Sequence, residues 1–350
     1  MLFFSVTNLL KCVPTSGIIK KHVHVKATLV GAASELGQNI ALLLRQNYKL
    51  TQLNLYDESP VVKGVGTELR SIPGGPEVHT FVGENELPFA ILKSDIIIMA
   101  TSIHRQPGQS RQQLLLINAP AVLQLCMAVA RYNRNALIGI STNPINSIIP
   151  FAYRVLHHLG YYDPFKILGI TQIDVDRTKT YTSQLLNVDS RILEVPVVGG
   201  HSESTILPLF SNTKPKHLNV YPDEALALMR VVQKAGADVV TQKQGVESST
   251  IAMAWAVNAF TDKLIDAVLG EEVVVNAYTA NPYFNTRFFS GPCRVAAKGV
   301  VSPAHGFEMT EDEVAALSQV VQYLNEDIIR GEDHVRAVED RIKAEYFSKC

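Results

Sequence analysis

The chain has 350 residues and a mass of 38.5 kDa, with 47% hydrophobic and 19% charged residues and a formal net charge of −1. That length suits one two-domain enzyme or two ordinary domains, and the composition argues against long disorder. With no basic block and no zinc-type spacing, a nucleic-acid role or a metal site has no support, and no apolar run reaches the ~18 residues that span a bilayer.

Residues 1–24 read as an N-terminal extension. Lys11, Lys20, Lys21 and Lys26 precede the first acidic residue, Glu35. This polarity suits an import signal and equally an ordinary extended terminus. The expected compartment is the mitochondrial matrix. The alternatives are the cytoplasm and a peroxisome-like organelle, the latter because Ser348-Lys349-Cys350 is close to a peroxisomal tripeptide. Cys12, Cys126, Cys293 and Cys350 form no CxxC pair and read as reduced thiols.

Over residues 25–169, the short apolar runs 27–30, 53–56, 95–100 and 136–141 are bounded by turn or polar residues and predict buried parallel strands. Between them Leu36, Ile40, Leu43 and Leu44 recur at helical spacing, and 121–130 is apolar on more than one face. Alternation of strand and helix predicts an α/β fold with a Rossmann-type doubly wound parallel sheet. Over 170–346 the pattern changes to a strand-like stretch at 195–198, then helical segments near 223–243, 246–269 and 310–346. These predict a second, α+β domain that carries substrate and catalysis.

The first strand leads into Gly31-Ala32-Ala33-Ser34-Glu35-Leu36-Gly37-Gln38. Gly31 permits a tight turn and Gly37 lets the next helix close on the strand, so the helix N-terminus faces a dinucleotide pyrophosphate. Asp57 ends the second strand, where a carboxylate accepts bonds from both ribose hydroxyls and repels a 2′-phosphate, favouring NAD over NADP. Ser34 stands where a middle glycine normally lets the backbone approach the pyrophosphate, and can offer a hydrogen bond instead. Glu35 adds a carboxylate that would repel the phosphates unless it turns to solvent.

Downstream, Asp174 and His201 lie in segments that can converge across the domain junction. Hydride transfer from an alcohol needs such a pair, because a neutral imidazole takes the hydroxyl proton while a carboxylate fixes its tautomer. A lone histidine is more often structural, but here the loop from His104 to Arg111 adds Arg105 and Arg111 around Pro107-Gly108. Guanidinium groups hold carboxylates through two parallel bonds. Arg105 and Arg177 could each take one carboxylate of a dicarboxylic 2-oxo acid while Arg111 polarises the carbonyl. Asn143, at the end of another strand, could orient both substrate and nicotinamide or serve only as a turn residue before Pro144.

These residues give the sequence a close resemblance to the malate dehydrogenase family, in particular its mitochondrial and bacterial type, from about residue 25 to 340. The matching motifs include Gly31-Ala32-Ala33, Leu55-Tyr56-Asp57, Arg105 with Pro107-Gly108 and Arg111, and Thr142-Asn143-Pro144 with Asn146-Ser147. They continue through Gly169-Ile170-Thr171 with Asp174 and Arg177, Val197-Val198-Gly199-Gly200-His201, Ser248-Ser249-Thr250 with Met253, and Gly331-Glu332-Asp333. The resemblance implies His201 as acid/base, Asp174 as its partner, and Arg105, Arg111, Arg177 and Asn143 on the substrate. It implies NAD as cofactor, contacted by Gly31, Ser34, Gly37, Gln38, Asp57, Asn118, Asn143 and Met253. It also implies a small dicarboxylate substrate and a homo-oligomer, most simply a dimer, with no nucleic acid, membrane or metal involved.

The family pattern is broken at Ser34, at Glu203 after His201-Ser202, at Glu247 before Ser248, at Gln112-Gln113 and at His104. Buried carboxylates beside a dianionic substrate would oppose binding, whereas exposed ones cost little. Three readings are therefore carried forward: a malate dehydrogenase, a related 2-hydroxyacid dehydrogenase of altered specificity, or a catalytically weak paralogue with a binding role.

Overall fold

A computed structural model describes residues 24–101, 110–161, 163–246 and 248–346. The first half alternates as read: β1 (Lys26–Val30), α1 (Glu35–Arg45), β2 (Gln52–Asp57), α2 (Val61–Arg70), β3 (Glu77–Val82), α3 (Leu87–Ile91), β4 (Ile96–Met99), α4 (Arg111–Tyr132), β5 (Leu137–Ile140), α5 (Ile145–His158) and β6 (Ile167–Ile170). The second half contains α6 (Gln172–Leu186), β7 (Val197–Gly199), β8 (Ile206–Pro208), α7 (Pro222–Gln242), α8 (Thr250–Val268), β9 (Val273–Ala280), β10 (Phe288–Ala296), β11 (Gly299–Ser302) and α9 (Glu311–Glu345).

Strands run in the order β3-β2-β1-β4-β5-β6-β9-β10-β7-β8, with β11 on β10. From β3 to β6 every pairing is parallel, and from β6 onward every pairing is antiparallel. β4 and β5 are buried throughout, as strands covered by helices on both faces must be. The chain direction across the sheet reverses between β1 and β4, which opens a crevice at the carboxyl ends of those strands, the usual dinucleotide position in such sheets. Because Gly169 pairs with Tyr278 and Ile170 with Ala277, the two halves share one continuous sheet.

Differences from the sequence reading have local causes. β3 and β6 were not among the predicted runs: β3 alternates burial weakly at the sheet edge, and β6 (Ile167–Ile170) is fully buried. The strand expected from 195 begins at Val197, since Pro196 has no N–H for a ladder. The helix expected from 246 begins at Thr250, after Gly245 adopts φ +75° and stops helical continuation. α4 is long and apolar enough by composition to cross a membrane, contrary to the reading that no stretch is. It packs as a core helix, with Leu115, Ala119, Val122, Leu123 and Val129 buried.

Candidate active site

β1 delivers the chain into the turn at Gly31, whose φ is +93° and whose hypothetical Cβ would lie 2.5 Å from the Thr101 nitrogen. At Gly37 a Cβ would lie 2.0 Å from the Gly31 carbonyl oxygen, so both glycines are required by close backbone approach. Ser34 caps α1: its hydroxyl donates to the Gly31 carbonyl at 2.8 Å and accepts from the Gly37 N–H at 3.0 Å. That hydroxyl, expected to face a phosphate, is thus engaged in holding the turn. Among the described residues, the N–H groups of Glu35 and Leu36 donate to no protein acceptor. They form an anion-facing helix end.

Asp57 ends β2 beside this turn and accepts the Ala33 N–H at 2.9 Å on one oxygen and the Ser59 N–H at 2.9 Å on the other. Each oxygen keeps lone-pair capacity for a ribose hydroxyl. These groups fit an NAD adenosine and pyrophosphate by chemistry: free amides for the phosphates and a fixed carboxylate for the ribose. Gln38 is exposed, with its amide donating to the Ala33 carbonyl. Asn118 is buried on α4, where its amide donates to the Asn143 carbonyl at 2.8 Å. The structure therefore puts Asn118 behind Asn143, supporting that strand end from outside the cavity lining.

A cavity of about 240 Å³ lies between the two halves, lined among others by Arg111, Asn143, Asp174, Arg177, His201 and Met253. Asp174 stands in the first turn of α6 and is 1% exposed. His201 follows β7, whose Gly199 has φ +99° and would place a Cβ 2.1 Å from the Thr205 carbonyl oxygen. The two side chains meet at 2.6 Å, His201 Nδ1 to Asp174 Oδ2. With a carboxylate as acceptor, Nδ1 carries the hydrogen and Nε2 keeps its lone pair for the cavity.

Arg177 lies one helical turn beyond Asp174, 3.9 Å from its Oδ1, and donates to the Ser249 hydroxyl at 2.8 Å. Arg111 opens α4 and sits 3.7 Å from the buried carboxylate of Asp327 on α9. Thus two guanidinium groups and one imidazole face a single cavity. Arg105, the third predicted arginine, lies outside the described residues, as does Glu247. Glu203 lines the cavity but is solvent-exposed and enters no ion pair among the described residues. No group of three or more potential metal-ligating side chains lies together among the described residues.

Sequence reasoning gave Asn146 only as part of a motif and missed Asp327. Asn146 accepts the His201 N–H at 2.8 Å, while its amide donates to Asp327 at 3.0 Å and to the Thr205 hydroxyl at 3.1 Å. It therefore joins the backbone of the histidine to the carboxylate that faces Arg111. A signal for Asp327 existed only indirectly, in Gly331 one turn later. A Cβ at Gly331 would come within 2.1 Å of the Ser147 carbonyl oxygen, so that glycine marks where α9 closes onto α5.

Residues 25–169 match the lactate/malate dehydrogenase NAD-binding domain, and residues 171–335 match the lactate/malate dehydrogenase α/β C-terminal domain. A malate dehydrogenase of Edwardsiella ictaluri is 37% identical over 313 residues, covering 89% of this chain and 99% of that protein. Malate dehydrogenase 2, peroxisomal, of Arabidopsis thaliana is 34% identical over 314 residues, 89% of this chain and 88% of that one. Among solved structures, the malate dehydrogenase of Picrophilus torridus superposes with a TM-score of 0.78 at 19% identity, covering 89% of this chain and 99% of that chain. A Cryptosporidium parvum lactate dehydrogenase in complex with lactic acid and NAD gives 0.74 at 17% identity, with 87% and 97% covered. At those identities the structural likeness speaks for the fold.

Proposed function

The chain belongs to the lactate/malate dehydrogenase family of NAD-dependent 2-hydroxyacid dehydrogenases, and on that premise we propose that it is a malate dehydrogenase, interconverting malate and oxaloacetate. The observation that carries this reading is the convergence of the His201–Asp174 pair with Arg177 and Arg111 on one cavity. Arg177 and Arg111 serve the carboxylate and the oxygen at the reacting carbon, and the preference for a dianionic over a monoanionic substrate is supported by the malate dehydrogenase relatives and by Arg105 in the sequence. When bound, NAD supplies the hydride acceptor for oxidation and, reduced, the donor for the reverse.

In the oxidative direction, His201 Nε2 takes the proton of the substrate hydroxyl, and the buried Asp174 carboxylate stabilises the imidazolium that forms. Arg177, held by Ser249, clasps the carboxylate next to the reacting carbon. Arg111 polarises the carbonyl oxygen as it develops, and Arg105 is assigned the distal carboxylate. In reduction the same His201 returns its proton to that oxygen. The test is NADH oxidation by the purified protein with oxaloacetate and, in parallel, with pyruvate. A kcat/KM at least tenfold higher on oxaloacetate is expected, and equal or preferential use of pyruvate would overturn the assignment.

A second reading, a 2-hydroxyacid dehydrogenase of altered specificity, has the Glu203 carboxylate on the cavity lining in its favour, a small effect because solvent screens this exposed charge from a distal anion. Activity confined to other 2-oxo acids would select it. NADH binding without any turnover would instead select a binding role.

We also propose a homodimer formed through α8 and α1. Ile251 and Trp255, one turn apart on α8, are 71% and 63% exposed, and Leu42 on the adjoining α1 is 40% exposed. Trp255→Asp should convert dimer to monomer in light scattering. The lysine-bearing residues 1–24 support a mitochondrial matrix location, which subcellular fractionation tests.

A further inference from the structure

Glu35 is the first residue of α1 and, although solvent-exposed, is tied to the rest of the chain by one side-chain bond. Its Oε1 accepts the Thr250 hydroxyl at 3.0 Å, a bond from the cofactor turn to the first residue of α8 on the other half of the chain. Lys243 Nζ lies 3.5 Å from the same hydroxyl. Glu35 itself enters no ion pair among the described residues. Thr250 and the neighbouring Leu36 both line the central cavity. The bond to Thr250 thereby holds the carboxylate at the same helix end as the two unengaged N–H groups, those of Glu35 and Leu36, that this end offers to a phosphate.

We propose that Glu35 sets the affinity of the cofactor site, holding one fixed negative charge at the pyrophosphate approach so that NAD(H) binds more weakly than it would to the uncharged chain. The Thr250 bond matters because it favours this position of the exposed carboxylate over one swung away into solvent. An acidic residue in a first helical turn ordinarily just stabilises the helix. That role alone would leave phosphate-bearing and phosphate-free ligands equally affected by its removal. The proposal rests on the family's cofactor and not on the choice of substrate, so a failure of oxaloacetate turnover leaves its test readable.

Glu35→Gln is the discriminating variant, because the amide keeps an oxygen to accept the Thr250 hydroxyl while losing the charge. Binding is measured by titration calorimetry on the full chain with NADH, ADP-ribose and adenosine. A unit charge a side-chain length from a phosphate, partly solvated, changes affinity on the order of tenfold. The variant should therefore bind NADH and ADP-ribose about tenfold more tightly at low salt. Its advantage should shrink toward unity near 1 M salt, where the screening length falls to about 3 Å. Adenosine, which has no phosphate, should bind both proteins alike. Glu35→Ala should repeat the gain without the Thr250 bond. Unchanged or weaker NADH binding by both variants, including no measurable binding, overturns the proposal, as does an equal gain for adenosine.

Discussion

Asp174→Asn removes one charge from a pair whose geometry is otherwise undisturbed. The Asp174 carboxylate is 1% exposed and 2.6 Å from His201 Nδ1. At about 4 Å between charge centres and an effective dielectric of ~20, an imidazolium and a carboxylate attract by ~4 kcal/mol. This attraction exists only once the imidazole has taken the substrate proton, so it lowers the barrier to the chemical step and not the energy of the bound substrate. Losing it alone slows the reaction about 10³-fold. The amide also presents an N–H to the ring, which moves the ring hydrogen to Nε2 and removes the base from the cavity, adding up to another ~10-fold. The expected result is a fall in kcat/KM for malate of ~10³ to 10⁴, with NADH affinity within twofold of the unchanged protein. Stopped-flow measurement of NADH formation, with calorimetric NADH titration alongside, reads both quantities. Retention of kcat/KM within tenfold would refute the assignment of the pair.

Arg177→Lys keeps the charge but cannot both hold Ser249 and present a two-pronged face to a carboxylate; KM for oxaloacetate should rise ~10- to 100-fold in steady-state assays, with a smaller change in kcat. Asn146→Ala leaves the His201 N–H without an acceptor and takes one bond each from Asp327, which keeps Arg330, and Thr205, which keeps Ser202. At ~1–3 kcal/mol for the one group left unsatisfied and ~1 kcal/mol for each of the other two lost bonds, it should lower unfolding stability in urea by ~3 kcal/mol. Asp176 has its pKa raised from the ordinary 3.8 by burial, partly countered by the Gln172 hydrogen bond. A raised folded-state pKa means the folded chain holds the proton more tightly. The stability contribution is therefore full below pH 3.8 and is lost as pH rises through the folded value. Asp176→Asn should thus raise Tm at pH 7 and give little gain near pH 3, as read by calorimetry.

Much of the fold was legible because its signals are local. The runs at 27–30, 53–56, 95–100 and 136–141 are buried on both faces, and covered parallel strands have to be continuously apolar. Gly31 and Gly37 announced the turn, since each stands where a Cβ would strike backbone. β3 was missed because an edge strand has little buried surface to pattern it. The roles of Ser34 and Asn118 were harder to read for a different reason. Each side chain satisfies a neighbouring backbone group, Gly31 and Gly37 for the first and Asn143 for the second, and sequence identifies a polar residue without saying whether it faces a ligand or the chain. The contact of Glu35 with Thr250 spans 215 residues and depends on how α1 packs on α8. No periodicity encodes such a contact.

The candidate site also shows why neither half of the chain could carry the chemistry alone. Asp174, Arg177 and His201 all come from the second half, whereas Arg111, Asn143 and Asn146 come from the first. Their alignment is fixed twice over. β6 and β9 pair across the junction, which sets the backbones of α6 and the strands around it relative to β5 and β6. Asn146 then ties the His201 backbone to the start of α5 and to the Asp327 carboxylate that faces Arg111. A shift of His201 relative to Arg111 must break a buried bond to Asn146 or the contact between Gly331 and Ser147. The proton acceptor and the arginine that polarises the carbonyl are thus held in one frame before any substrate arrives. Such positioning lowers the barrier without a reorganisation cost at the moment of reaction.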